Sequence, residues 1–187
     1  MSLSKPGDWR VVESHVVIET PYLRLRRDRI ELPDGSVVDD YYVRESRGFS
    51  VVCAITPEQR VVLVRQYKHG IGEHLLELPA GAIDPGEEPA ACAQRELAEE
   101  TGYVGDPPLP EHLVSMVYDP TSSTTRFHVY LARDARPLVA QRLDPTEQIE
   151  VELATFDELR RYVQDGTIHV GAHVATIYYL LDKLHRL

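Results

Sequence analysis

The chain has 187 residues, 43% hydrophobic and 27% charged, which is typical of a globular protein with one substantial core. Its 30 acidic residues outnumber the 20 basic ones and give a net charge of −10, which argues against non-specific binding to nucleic acid or to an anionic membrane. A small anionic ligand is not excluded, because a bound divalent cation can supply positive charge locally.

The two cysteines indicate a reducing compartment. Cys53 lies in the apolar run VVCAI and Cys92 in a helical stretch, so we expect both to be buried free thiols.

The N-terminal residues lack an apolar signal core, and no apolar run approaches the roughly 20 residues of a membrane helix. We therefore expect a cytoplasmic protein that does not associate with membranes.

Alternating hydrophobicity predicts three strands at the start of the chain. The strands cover residues 9–18, 22–31 and 36–45, and Pro33-Asp34-Gly35 between the last two is a turn signal. We expect an N-terminal antiparallel β-extension over residues 1–48, which precedes the main unit at 49–187.

The main unit alternates strands with helices. Two apolar runs at 50–55 and 61–67 predict adjacent core strands joined by a hairpin, and the later strands and helices follow in chain order. Further strands are expected at 74–83, 113–119, 126–133 and in IEVELA. Helices are expected at 88–101 and 171–187, and another helix is expected to begin at Thr155 or Asp157. The fold class is α+β, with a mixed β-sheet between helices.

The helix at 88–101 carries an unusual concentration of negative charge. Glu96, Glu99 and Glu100 fall in one turn, where like charges three or four residues apart repel each other. Hard divalent cations prefer such carboxylates, and Arg95 can pair with Glu99 at the i, i+4 spacing. The alternative interpretation of this turn is a solvated acidic face.

The surrounding sequence favours a metal site. The residues from 81 to 102 fit the pattern Gly, five residues, Glu, seven residues, Arg-Glu-apolar, one residue, Glu-Glu, one residue, Gly. The matching residues are Gly81, Glu87, Arg95, Glu96, Leu97, Glu99, Glu100 and Gly102. This stretch resembles the Nudix box of the Nudix hydrolase superfamily, and Tyr103 at the final apolar position is a mild departure from it.

The resemblance implies an α/β/α sandwich in which the box forms loop–helix–loop. It also implies hydrolysis of a nucleoside diphosphate linked to another moiety, with Mg²⁺ or Mn²⁺. By that resemblance Glu96, Glu99 and Glu100 are metal ligands, Glu87 is a supporting ligand and Arg95 orients the glutamates.

Residues outside the box resemble the branch of ADP-ribose pyrophosphatases and nucleoside diphosphate sugar hydrolases. The similarity lies in LLELPAGAID, VRQYKHG and the N-terminal sheet, which in that branch forms an intertwined homodimer. It implies that the Ala80 carbonyl ligates metal and that a loop glutamate, Glu147 or else Glu150, is the general base.

The sequence indicates the substrate less closely than it indicates the metal site. The candidates for binding it are Arg44, Arg65, Lys68, Glu77 and Tyr22. Tyr118 occupies the position where ADP-ribose enzymes tend to have proline, so the expected substrate is ADP-ribose or, as an alternative, another nucleoside diphosphate sugar.

Other functions stay open. A sensor domain without catalysis often lacks one of the box glutamates, and a nucleoside triphosphate pyrophosphohydrolase is usually shorter and lacks the N-terminal sheet. His169 and His173 have the i, i+4 spacing of metal ligands, but no third zinc ligand lies near them in sequence.

Overall fold

A computed structural model describes residues 7–186 of the chain. Residues 1–6 of the predicted extension and Leu187 of the predicted C-terminal helix lie outside the described residues. The described residues divide into two compact units, one of residues 7–47 and 117–126, the other of residues 48–116 and 127–186. Among the described residues, no helix is long and apolar enough to cross a membrane.

The first unit contains the predicted antiparallel sheet. Its strands are β1 (Arg10–Glu19), β2 (Arg24–Glu31) and β3 (Val37–Glu45), in the order β1-β2-β3. Asp28 is buried in the middle strand, where it accepts hydrogen bonds from Ser14 and from the guanidinium of Arg26. All ten residues of β1 are exposed, so this strand leaves apolar surface uncovered.

The second unit contains two larger sheets, a short ribbon and three helices. Its strands are β4 (Phe49–Ala54), β5 (Val61–Lys68), β6 (Glu73–Glu77), β7 (Ala80–Ala82), β8 (Tyr103–Val104), β9 (Glu111–Val117), β10 (Arg126–Ala132), β11 (Arg136–Pro137) and β12 (Ile149–Ala154). The helices are α1 (Pro89–Thr101), α2 (Phe156–Gln164) and α3 (Gly171–Lys183). One sheet has the order β7-β4-β10-β9, the other β12-β5-β6, and β8 pairs with β11.

The predicted hairpin between β4 and β5 is wrong. Only one isolated bridge, between Ile55 and Val61, joins the two strands, and they then enter different sheets. β4 pairs instead in parallel with β10, in a register that places Phe49 beside Phe127. Two apolar runs separated by a short turn favour a hairpin, and nothing local indicates a partner so distant in the chain. The expected single mixed sheet is therefore two sheets.

The apolar run of β4 is nearly continuous because both of its faces are covered. Val51 and Cys53 belong to a large core that includes Ile177 of α3. Successive side chains of a strand point to opposite faces, and Val52 accordingly lies in a second core with Leu97 of α1. The predicted α+β class is confirmed. The packing of Val52 with Leu97 also holds α1 against β4.

Both cysteines are buried free thiols. Burial raises the pKa of the Cys53 thiol to about 12. It also raises the pKa of Cys92 to about 11, and the nearby carboxylates of Glu96 and Glu87 add to that shift. Neither thiol is therefore activated as a nucleophile at neutral pH.

The helix boundaries follow local signals in the sequence. Pro89 opens α1, and Gly102 closes it in the left-handed conformation at φ 74°, with its N–H donated to the Ala98 carbonyl. A Cβ at Gly102 would lie 2.5 Å from the Val139 carbonyl oxygen, so the position also needs glycine for close approach. Thr155 rather than Asp157 caps α2, through a capping box with Glu158.

Candidate active site

The acidic turn of α1 is turned partly into the protein. The side chains of Glu96 and Glu99 are 12% and 29% exposed, and Glu100 is buried. Burial raises the pKa of Glu100 to about 8, although a hydrogen bond from the Ala80 N–H opposes the shift. Burial likewise raises the pKa of Glu96, against the opposing effect of Arg95. The turn therefore holds carboxylates whose negative charge is only partly compensated by hydrogen bonds and positive charges of the protein itself.

Arg95 connects the carboxylates of the box. Its Nε and Nη2 donate to the two oxygens of Glu87, at 2.8 and 2.9 Å. Its Nη1 donates to Glu96 at 2.7 Å and to Glu99 at 3.1 Å. These contacts raise the pKa of Arg95, and its guanidinium lowers the pKa of Glu87 to about 2. Glu87 is thus the bidentate partner of Arg95, and its assignment as a supporting metal ligand stays a prediction.

The backbone before α1 lies against the acidic turn. The Ala80 N–H donates to Glu100 Oε2 at 3.0 Å. The Val52 N–H donates to the Pro79 carbonyl, and the alternation of an antiparallel pair then turns the Ala80 carbonyl away from β4. A Cβ on Gly81 would lie 2.0 Å from the carboxyl carbon of Glu96, so only glycine permits this approach.

The donor atoms of this region fit a hard divalent cation. Three carboxylates on one helical turn and the carbonyl of Ala80 are oxygen ligands of the kind that Mg²⁺ prefers. Within residues 7–186, no three acidic, histidine or cysteine side chains already converge as metal ligands, and Arg95 instead engages Glu96 and Glu99. Arg95 contacts one oxygen of each of these two carboxylates, so the second oxygen of each is not bonded to Arg95.

Glu147 lies near the acidic turn, in the loop before β12. Burial is the main cause of the raised pKa of Glu96 and of Glu100, and the charge of Glu147 contributes to both shifts. Its own carboxylate accepts a hydrogen bond from the Asp144 N–H at 2.9 Å. The alternative base, Glu150, lies in β12 opposite Arg65. The charge of Glu147 therefore acts on two of the predicted metal ligands, and its role as base stays a prediction.

The predicted substrate-binding cations of β5 are already paired. Arg65 donates to Glu152 at 2.5 Å. Lys68 lies 3.1 Å from Glu77, and Glu77 is buried with its other oxygen 3.3 Å from His173. Lys68 also lies close enough to oppose the burial-driven rise in the pKa of Glu100.

The two remaining substrate candidates belong to the first unit. Tyr22 is 92% exposed in the connection between β1 and β2. Arg44 lies in β3, where its backbone N–H donates to the Ser122 carbonyl. Their assignment to the substrate stays a prediction from the sequence.

Sequence reasoning missed three residues that support the site. His173 accepts the Leu78 N–H at 3.2 Å, next to the backbone that carries Ala80. Gln141 donates to the Glu100 carbonyl at 2.6 Å, and Arg142 donates to the Glu99 carboxylate at 3.4 Å. The spacing of His169 and His173 drew attention to His173 only as a metal ligand, and no local pattern indicates the observed contacts, because each joins residues at least 40 positions apart.

Two family models match the chain. The NUDIX domain model covers residues 46–172, which include all of α1 and the acidic turn. The chain belongs to the Nudix family. A second model, the nucleoside diphosphate sugar hydrolase N-terminal domain, covers residues 9–43, which span most of the first unit's sheet. The predicted Nudix hydrolase of the nucleoside diphosphate sugar branch is thereby confirmed, and Nudix hydrolases generally need a divalent metal.

Individual proteins are similar to the chain over most of its length. A methanol dehydrogenase activator of Bacillus methanolicus is 30% identical over 95% of both chains. An ADP-ribose pyrophosphatase of Bacillus subtilis is 30% identical over 82% of both chains. The crystal structure of an ADP compounds hydrolase superposes over 100% of both chains with a TM-score of 0.83 at 20% identity, which confirms the Nudix fold.

Proposed function

We propose that this Nudix protein hydrolyses the pyrophosphate bond of ADP-ribose or of another nucleoside diphosphate sugar. The products are a nucleoside monophosphate and a sugar phosphate. The observation that carries the proposal is the complete acidic turn Glu96, Glu99 and Glu100 beside the Ala80 backbone. The match of residues 9–43 to the N-terminal domain of nucleoside diphosphate sugar hydrolases supports this substrate class.

The metal in this proposal is Mg²⁺, with Mn²⁺ able to substitute. Glu96, Glu99, Glu100 and the Ala80 carbonyl would hold it, with Glu87 and Arg95 in support. When bound, the cation neutralises the charge of the pyrophosphate and lowers the pKa of a coordinated water. Arg95 orients the carboxylates through the hydrogen bonds described above and keeps Glu87 ionised.

Glu147 is proposed to take the proton from the attacking water. In that step the water oxygen forms a bond to phosphorus, the anhydride bond breaks, and the bridging oxygen leaves with the second product. A carboxylate in an accessible loop beside the ligands can accept that proton. Lys68 and Arg65 are proposed to bind the substrate's phosphates, with Glu77 orienting Lys68.

We further propose a homodimer formed through residues 1–48, with residues 49–187 as the catalytic domain. The continuous exposure of β1, including Val11, Val12, Val16 and Val17, supports an interface there. The acidic composition and the buried thiols support a cytoplasmic enzyme that binds neither nucleic acid nor membrane.

The proposal is tested by turnover of a substrate panel with Mg²⁺ or Mn²⁺. The panel contains ADP-ribose, several nucleoside diphosphate sugars and nucleoside triphosphates, with products separated by chromatography. We expect release of a nucleoside monophosphate from one of the sugar compounds. Preference for triphosphates would favour the triphosphate pyrophosphohydrolase, and absence of metal-dependent turnover would favour the sensor.

The metal assignment is tested by Glu99→Gln and Glu100→Gln. Each variant removes one ligand charge while preserving shape, so turnover should fall by about 100-fold or more with little change in thermal stability. Glu88→Gln is the matched control, since Glu88 is exposed at the start of the same helix and its side chain makes no capping hydrogen bond. Unchanged turnover in both ligand variants would refute the metal site.

A further inference from the structure

A short segment covers the carboxyl end of the acidic helix. The last carbonyls of an α-helix lack hydrogen-bond donors within the helix, and residues 138–142 supply donors here. The Gly102 carbonyl accepts the N–H groups of Leu138 and Val139, at 3.0 and 3.2 Å. The Arg142 N–H donates to the Glu99 carbonyl at 2.9 Å. The segment is therefore fastened to the turn that carries the predicted metal ligands.

Within this segment, the side chain of Gln141 contacts the backbone of α1. Its Nε2 donates to the Glu100 carbonyl at 2.6 Å, and the same atom lies 3.5 Å from the carbonyl of Ile149, the first residue of β12. One amide group thus spans the end of α1 and the start of β12. The loop between Gln141 and Ile149 is closed at its base by these contacts.

The loop that this amide closes contains Glu147. Within the loop, Asp144 and Glu147 exchange backbone and side-chain hydrogen bonds, so this part is internally ordered. The contacts at residues 138–142 hold one end of the loop on α1, and the other end enters β12, which pairs with β5. A displacement of about 1 Å between catalytic groups can cost on the order of 100-fold in rate.

We infer that Gln141 is a positioning residue, which holds the loop carrying Glu147 at a fixed distance from the carboxylates of α1. The inference rests on the proposed function for the role of Glu147 as base. Gln141 itself touches backbone carbonyls and not the reacting atoms. A donor is required at this position, since a glutamate there would lose both donations and place a negative charge at the negative end of the helix.

The anchoring is tested first without any substrate, by hydrogen–deuterium exchange of the full chain. In Gln141→Ala, we expect faster exchange at the Arg142 and Glu147 amides, while the interior of α1 stays protected. Gln148→Ala is the matched control, because Gln148 is an exposed glutamine of the same loop. Exchange that is equal in wild type and Gln141→Ala would overturn the inference, whatever the enzyme's substrate.

The functional consequence is tested by a double-mutant cycle with Glu147→Gln, using ADP-ribose or whichever panel compound wild type hydrolyses fastest. Gln141→Ala should lower kcat by roughly tenfold with little change in KM, and Gln141→Glu should lower it further. In the Glu147→Gln background, Gln141→Ala should cause little additional loss, since the residue acts through that base.

Two results separate failure of this inference from failure of the proposed function. If Glu147→Gln lowers kcat but Gln141→Ala lowers it equally with and without Glu147, Gln141 does not act through the base and the inference is wrong. If Glu147→Gln leaves kcat unchanged, the assignment of the base is wrong and the inference falls with it. The exchange experiment then still reports whether Gln141 anchors the loop.

Discussion

At the scale of single residues, the site depends on a close approach between backbone and carboxylate. Gly81 lies where a Cβ would overlap the carboxyl group of Glu96, and Arg95 donates a hydrogen bond to the same carboxyl group. The sequence signature demands glycine here, and the structure gives the physical reason. A side chain at this position would displace a predicted metal ligand without touching the substrate.

We expect Gly81→Ala to lower turnover by about 100-fold and to raise the Mg²⁺ concentration needed for half-maximal activity. The reason is displacement of the Glu96 carboxylate by the added methyl group. Gly70→Ala is the control, because a Cβ there meets nothing within 4 Å. Steady-state kinetics at several Mg²⁺ concentrations would measure both effects. Wild-type metal dependence in Gly81→Ala would contradict this account of the glycine.

At the scale of elements, a polar network joins Lys68 of β5, Glu77 of β6 and His173 of α3, and its Glu77 and His173 are buried. His173 accepts the Leu78 N–H at Nδ1, so the neutral ring carries its proton on Nε2 and can donate to Glu77, 3.3 Å away. Burial alone would raise the pKa of Glu77, but its contacts with His173 and Lys68 lower that pKa below its ordinary value. The network fixes the backbone that leads to Ala80.

This network should make stability depend on pH. Since the pKa of Glu77 is lower in the folded protein, its carboxylate stabilises the fold above the ordinary value of 4.5, and this contribution is lost as the pH falls through the lowered value. At pH 7 we expect Glu77→Gln to reduce the free energy of unfolding by about 1–3 kcal/mol. The difference from wild type should shrink below pH 4.5.

Chemical denaturation at a series of pH values would measure this difference. Glu73→Gln is the control, because Glu73 begins the same strand but is exposed. A Glu77→Gln deficit that stays constant from pH 7 to acid would show that the charge of Glu77 does not stabilise the fold.

At the scale of the whole molecule, β1 is the element that the described chain leaves uncovered. Both faces of the strand are exposed over its full length, and among the described strands it pairs only with β2. An unpaired edge with exposed apolar side chains is a surface that proteins commonly cover. A second copy of the chain would cover it, as the proposed homodimer requires.

We expect wild type to be a dimer at micromolar concentration by light scattering coupled to size-exclusion chromatography. Val16→Lys combined with Val17→Lys places charges on both faces of β1, because adjacent side chains point in opposite directions. This variant should dissociate into monomers with its second unit still folded. Leu109→Lys, an exposed leucine of the second unit, is the control. A monomeric wild type would reject the dimer.

Much of the molecule was predictable because its signals are local. The limits of α1 follow from Pro89 and Gly102, and the acidic turn follows from the spacing of Glu96, Glu99 and Glu100. The N-terminal sheet follows from alternation and turn residues. These features depend on neighbours within a few positions, so the sequence by itself determined the family, the fold class and the core of the candidate site.

Only the tertiary structure decided what depends on residues distant in the chain. It separated β4 from β5 and paired β4 with β10, which corrected the hairpin. It also placed Gln141 on the Glu100 carbonyl and His173 beside Leu78. The sequence around Gln141 and His173 does not indicate these partners, because they are determined by the packing of whole elements. The supporting contacts of the site are therefore visible only once the chain has folded.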